Sequence, residues 1–183
     1  MLAVLAVCAS PLIASYLAYY VIKPEGRTNY GEILDPRRHP IPQLKSTTLD
    51  GTPTELTAYK GKWIMLHVGA SDCNAVCKNK LYEMRQLRLA QGKAMSRIER
   101  VWLIADMQPL DTTLIREYDG THMLRAPPGN LEKWLPVEAG TAITDHLYII
   151  DPLGNLMMRF PKQADPNKIK KDLGKLLRAS GIG

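Results

Sequence analysis

The chain has 183 residues, with 24 Lys and Arg against 18 Asp and Glu, a formal net charge of +6 and 45% hydrophobic residues. That length carries one ordinary domain plus an appendage, and the composition suits a buried core, with no low-complexity tract or internal repeat. The basic residues are spread along the chain with one Phe and three Trp beside them, which excludes the dense basic stripe with interleaved aromatics of a nucleic-acid binder.

Leu2 to Ile22 is an uncharged run. As a helix it would be roughly 30 Å long, the thickness of a bilayer's hydrocarbon core. Tyr16, Tyr19 and Tyr20 fall where amphipathic rings meet the membrane interface. Pro11 lies mid-run, and a membrane helix tolerates that better than a soluble one. No small-x-small cleavage site precedes Lys23, which argues against a signal peptide. A single transmembrane anchor over residues 1–22 is expected, with Cys8 a plain apolar member of it. Residues 23–42 hold Pro24, Pro36, Pro40 and Pro42 with Gly26 and Gly31, lack periodicity, and read as a tether in which His39 is solvated. The folded domain is expected over residues 43–183.

Leu44 to Leu49 predicts a short strand, and Leu49-Asp50-Gly51-Thr52 a turn. Trp63-Ile64-Met65-Leu66-His67-Val68 is a buried strand. Leu81, Met84 and Leu87 give a helical pattern from about Asn74 to Gln91, closed by Gly92. Arg100 to Asp106 is a second buried strand, and Asp111-Thr112-Thr113 starts a helix ending near Tyr118. His122 falls in a loop, and a short helix over Asn130–Leu135 follows Pro127-Pro128-Gly129. Leu147 to Ile150 is a third strand, Asp151-Pro152-Leu153-Gly154 its turn, and Asn155 to Phe160 its hairpin partner. Asp165-Pro166 opens a last amphipathic helix with Ile169, Leu173, Leu176 and Leu177 on one face. This alternation predicts an α/β fold, a central sheet with flanking helices, and the layout is thioredoxin-like.

Two of the three cysteines, Cys73 and Cys77, stand directly after the first core strand. Residues four apart on a helix share a face, within reach of a disulfide or a shared metal. Position adds more than spacing. Where a strand feeds a helix N-terminus, unpaired N–H groups and the helix dipole stabilise thiolate. The bland alternative is a pair of buried structural thiols. Lys78 and Lys80 would lower a thiol pKa, but solvated helix charges are the plainer account of them. His67, inside the core strand, reads as packed or locally bonded, and Asp106, at a strand's C-terminal end, as a site-edge residue.

At these residues the chain resembles the Sco/SenC family of membrane-anchored copper chaperones and thiol reductases that assist cytochrome c oxidase. The resemblance runs from about Leu44 to the C-terminus. It is carried by Leu49-Asp50-Gly51, Gly61-Lys62-Trp63, Gly69-x-x-x-Cys73-x-x-Val76-Cys77, Asp106-Met107-Gln108-Pro109-Leu110-Asp111 and His146-Leu147-Tyr148-Ile149-Ile150-Asp151. It implies copper held by Cys73, Cys77 and a histidine, for which His146 is the candidate. It also implies a single-pass protein of a bacterial inner membrane with its domain facing the periplasm. The implied partners are the membrane and the copper-bearing oxidase subunit or another copper or thiol protein, with no nucleic acid. The chain departs from the family at Asn74 and Lys78, where prolines are usual. The family's copper histidine would fall near Ile143, whereas His146 takes the place of the cis-proline that faces the dithiol in thioredoxin-like folds. Lys23, Arg27, Arg37 and Arg38 follow the apolar run, and the charge rule alone would put the domain in the cytoplasm. Two other readings stay open. One is a metal-free thiol–disulfide oxidoreductase, with Cys73 the outer nucleophile and Cys77 the resolving thiol. The other is a non-catalytic assembly or scaffold protein that keeps the fold.

Overall fold

A computed structural model describes residues 2–17, 20 and 29–182. In chain order the elements begin with α1 (Leu2–Leu17), β1 (Glu32–Ile33), β2 (Ser46–Thr48), β3 (Pro53–Thr54), β4 (Trp63–Gly69) and α2 (Ala75–Leu89). They continue with β5 (Ile98–Ile104), α3 (Thr112–Glu117), β6 (His122–Arg125), α4 (Pro128–Trp134), β7 (Leu147–Ile150), β8 (Leu156–Phe160) and α5 (Pro166–Ala179). The strands form one sheet in the order β1-β8-β7-β4-β5-β6-β2-β3. β4, β5 and β6 are parallel, while β7 runs antiparallel on the other side of β4. The mixed sheet with helices against it is the expected α/β arrangement.

Alternation along β4 sorts its side chains to opposite faces. Trp63 and Met65 join a buried cluster with Leu81 and Met84 of α2, Leu114 of α3, and Ile169, Leu173 and Leu177 of α5. Ile64, Leu66 and Val68 join a second cluster with Leu131 and Trp134 of α4. A strand buried on both faces has to read as a continuous apolar run, and β4 does. Each such aliphatic side chain contributes about 1.5–3 kcal/mol by burial. The α5 stripe is nearly as expected: Ile169, Leu173 and Leu177 are buried, and Leu176 packs at the cluster's margin.

The expected tether is built into the fold from Tyr30 onward. β1 pairs with β8, Glu32 opposite Arg159, and Leu156 N–H donates to the His39 carbonyl. The buried Asp172 of α5 accepts from the N–H groups of Tyr30 (2.6 Å) and Gly31 (2.9 Å), and Arg159 pairs with Glu32. Gly31 is required for this approach, because a Cβ there would lie 2.7 Å from Met158 Cγ. His122 is likewise in a strand, not a loop: β6 pairs with β5, and His122 Nε2 lies 3.1 Å from Glu99 Oε2.

The N-terminal apolar run is helical over Leu2–Leu17 with Pro11 inside it, and residues 18, 19, 21 and 22 of the expected anchor lie outside the described residues. Among the described residues no helix is long and apolar enough to cross a membrane. Most of the 23–29 part of the expected tether also lies outside them.

Candidate functional site

β4 ends at Gly69, and a short loop carries the chain to Asn74, the N-cap of α2. The Asn74 side-chain oxygen accepts from Val76 N–H (3.0 Å) and Cys77 N–H (3.1 Å), an arrangement worth about 1 kcal/mol to a helix start. Cys77 is therefore in the first turn, and Cys73 sits one residue before the cap. The two are joined in a disulfide, with Cα atoms 5.1 Å apart. Asp106, just past the end of β5, fixes the loop by accepting from Ser71 N–H (2.9 Å) and lies beside Arg125 Nη1 (3.8 Å). Partial burial alone would raise the Asp106 carboxyl. The hydrogen bonds from Ser71 and Gln108 and the Arg125 charge outweigh this and hold it below the ordinary carboxylate range.

The disulfide forms the floor of a cleft of about 350 Å³ lined also by His67, Gly69, Asp72, Thr144, Asp145 and Lys162. Neither cysteine is exposed: Cys73 is 1% and Cys77 8% accessible. The outer position expected for Cys73 is thus not marked by exposure, since Cys77 is the more accessible. At the rim Lys162 Nζ pairs with Asp145 Oδ1 at 3.1 Å. Lys80, read as a solvated helix charge, is instead 4% exposed, with its ammonium donating to the Lys162 carbonyl at 3.2 Å. It lies within the field of His67, whose proton affinity it lowers. Lys78 stays on the surface.

His146 is fully buried at the entry to β7, with both ring nitrogens in use. Nδ1 lies 2.9 Å from the Phe160 carbonyl and Nε2 2.7 Å from Thr141 Oγ1. A carbonyl only accepts, so Nδ1 carries the proton, while Nε2 lies against the Thr141 hydroxyl, which donates to the Glu138 carbonyl at 2.7 Å. Burial lowers the His146 pKa, which keeps the ring neutral. His146 is not among the residues that line the cleft, and its two ring nitrogens lie against Phe160 O and Thr141 Oγ1. In this disulfide-closed state the ring of the candidate ligand His146 is engaged within the fold and not in the cleft.

His67 is the residue the sequence reading passed over. It is 1% exposed, and Nδ1 lies 3.5 Å from the His146 carbonyl, while Nε2 has no hydrogen-bond partner among the described residues. Because the carbonyl must accept, Nδ1 bears the proton and Nε2 the free lone pair. Burial pushes its pKa down to about 4, against the weak help of the His146 carbonyl, so the ring is neutral near pH 7. A Cβ on Gly69 would lie 3.3 Å from Cys77 Sγ, 3.5 Å from His67 Nε2 and 2.9 Å from Trp102 Nε1. Gly69 therefore leaves open the point on which the sulfur and the bare nitrogen converge. The signal was present in the sequence. Residues 63, 65, 67 and 69 share one face of the strand, the face that α2 covers.

In this disulfide-closed state no three His, Cys, Asp or Glu side chains among the described residues are grouped to hold a metal ion. Reduction would free two soft sulfurs beside an unpartnered imidazole nitrogen, a donor set chemically suited to Cu(I) or Zn(II). The same sulfurs can exchange a disulfide with another thiol protein.

The family described as transmembrane-like, thioredoxin-like, C-terminal domain matches residues 63–180, more than half of the chain. No curated protein sequence matches at a significant level. Among solved structures the chain is similar to yeast Sco1 with copper bound, at TM-score 0.60 and 13% identity over 83% of this chain and 90% of that one. It is similar to Bradyrhizobium japonicum ScoI with copper bound, at TM-score 0.54 and 18% identity over 73% of this chain and 97% of that one. A third is BsSco, described by a disulfide switch and as a member of the Sco family of cytochrome c oxidase assembly proteins, at TM-score 0.53 and 13% identity over 80% and 98%. At such identities these likenesses carry the fold. By sequence the chain belongs to the family of transmembrane-like, thioredoxin-like C-terminal domains, and its fold is similar to that of the solved Sco and SenC structures.

Proposed function

We propose that this chain is a membrane-tethered, Sco-like protein that receives or delivers Cu(I), or keeps a copper-site dithiol reduced, during assembly of cytochrome c oxidase. The observation that carries the reading is the Cys73–Cys77 pair at the floor of an open cleft, where β4 feeds the N-terminus of α2. Structures of similar fold hold copper, and one of them is described by a disulfide switch. Copper is the cargo in this reading, and the membrane and a copper-bearing oxidase subunit are the partners. The apolar N-terminal run would be the anchor, with the domain in the bacterial periplasm, where disulfides persist. A reporter fused after Gly183 tests that placement: alkaline phosphatase activity supports it, and fluorescence of a cytoplasmic reporter without phosphatase activity overturns it.

The closed disulfide also favours a second reading, a metal-free thiol–disulfide oxidoreductase. In the reduced chain one cysteine thiolate would attack a partner's disulfide, forming a mixed disulfide and releasing one partner thiolate. The other cysteine would then attack the mixed disulfide and close the Cys73–Cys77 bond. Its proton passes to the leaving sulfur, so the partner gains two electrons and the chain loses two. Copper titration separates the readings. Under the copper reading the reduced full chain takes up one equivalent of Cu(I) in competition with a chelator, and Cys73→Ser or Cys77→Ser abolishes uptake. No uptake by the wild-type chain, with mixed disulfides trapped at one cysteine when the other is Ser, would give the case to the oxidoreductase.

A further inference from the structure

We propose that His67, through Nε2, is the third donor to a soft monovalent metal held by Cys73 and Cys77 in the reduced protein. The proposal rests on the copper reading above and adds a residue that neither the fold likeness nor the resemblance assigns. Three observations carry it. First, Nε2 is a buried ring nitrogen with no hydrogen-bond partner among the described residues, and such an atom costs about 1–3 kcal/mol unless something satisfies it. Second, the opposite nitrogen faces the His146 carbonyl, which fixes the tautomer with the lone pair on Nε2. Metal-ligating histidines are held in this way, by a backbone carbonyl or carboxylate on the far nitrogen. Third, His67 lines the same cleft as Cys73 and Cys77. Cys77 Sγ and His67 Nε2 lie 3.3 and 3.5 Å from the point where a Cβ on Gly69 would stand, with Trp102 Nε1 2.9 Å from it.

Strand geometry makes this arrangement rigid. His67 is paired on both sides, with Trp102 of β5 and Leu147 of β7, so its Cα cannot drift from the cleft. Cys77 is fixed by the first turn of α2. His146 enters the site through its backbone carbonyl, which orients the His67 ring, while its own imidazole faces Phe160 and Thr141. The two histidines therefore divide the work, one offering a lone pair and the other a main-chain oxygen.

The test uses the reduced full chain, Cu(I) supplied as its acetonitrile complex, a competing chelator, and X-ray absorption at the copper edge. In the wild type an imidazole nitrogen beside two sulfurs is expected in the copper shell. His67→Leu is expected to lose that nitrogen and to weaken Cu(I) binding by roughly tenfold or more, the range over which groups at metal sites act. His67→Gln, which keeps a polar side chain in the strand, should lose the same nitrogen signature and guards against misfolding of the leucine variant. Thr141→Val, which removes the hydroxyl's contacts with the His146 ring and the Glu138 carbonyl, should leave both readouts unchanged. Wild-type affinity with an intact nitrogen shell in both His67 variants would overturn the assignment while leaving the cysteine site standing. Absence of any Cu(I) uptake by the wild type would instead overturn the copper reading and this assignment with it.

Discussion

His67 and His146 sit on neighbouring antiparallel strands, both shielded from solvent, yet their surroundings differ in kind. His146 has a partner for each ring nitrogen, and a buried polar group so satisfied behaves as part of the core. His67 has a long contact on one nitrogen and no hydrogen-bond partner among the described residues on the other, and it lines the disulfide cleft. Proteins seldom retain a buried orphan without a use for it. The histidine that looked functional from its place at a strand entry is engaged within the fold in this state, and the one that looked structural from its apolar neighbours lines the cleft. Burial and sequence context do not separate the two. What separates them is whether each lone pair is already taken.

The largest effect that could break this contrast is on stability. His146→Ala removes two hydrogen bonds and leaves a cavity beside Tyr148, and should destabilise the oxidised chain by about 3–5 kcal/mol in denaturant unfolding. His67→Leu replaces an unsatisfied polar atom with an apolar group and should stay within about 1 kcal/mol of the wild type, or exceed it. Equal losses in the two variants would show that His67 has a partner after all.

Acid titration of the oxidised chain sharpens the same contrast. The His67 pKa is about 4 in the fold and near 6.5 in the unfolded chain, so the unfolded state binds the proton first as pH falls. The stability associated with a neutral His67 is complete above about pH 6.5, declines below it, and is lost once pH passes the folded value. The decline is about 3 kcal/mol, and His67→Leu should flatten it in urea midpoints measured between pH 7 and pH 4. An unchanged pH profile would assign the decline to other groups. Asp106 tests the loop between the histidine strand and the cysteines. Asp106→Asn weakens the hold on Ser71 N–H and should cost about 1 kcal/mol, read as a small fall in the thermal midpoint.

The central strands were legible because burial on both faces writes an unbroken apolar run, as in Trp63 to Val68. The start of α2 was legible to one residue because Asn74 is a capping residue ahead of a helical pattern. β6 was not, since His122 and Arg125 bracket only two buried residues and its partners in β5 lie 21 residues upstream in register. β1 was less visible still. Arg159 holds Glu32 and Asp172 holds the preceding Tyr30 and Gly31, each from more than a hundred positions away, and Gly31 leaves the room needed against Met158. At the site, spacing brought Cys73 and Cys77 together and alternation placed His67 on their side of the sheet. The missing fact was tertiary: which ring nitrogens find a partner depends on Phe160, Thr141 and the His146 carbonyl, none of them adjacent to His67 in sequence.

One pair of sulfurs is asked to serve both as metal ligands and as a redox couple, and the two uses exclude each other. The reduced full chain loaded with one equivalent of Cu(I), then exposed to a small-molecule disulfide with a Cu(I) chelator present, tests this directly. Closure of the Cys73–Cys77 bond takes two electrons from the chain and leaves copper as Cu(I). The expected result is copper transfer to the chelator in step with disulfide formation, measured in the same samples by absorbance and thiol trapping. Copper retained on the chain after the disulfide has closed would contradict it.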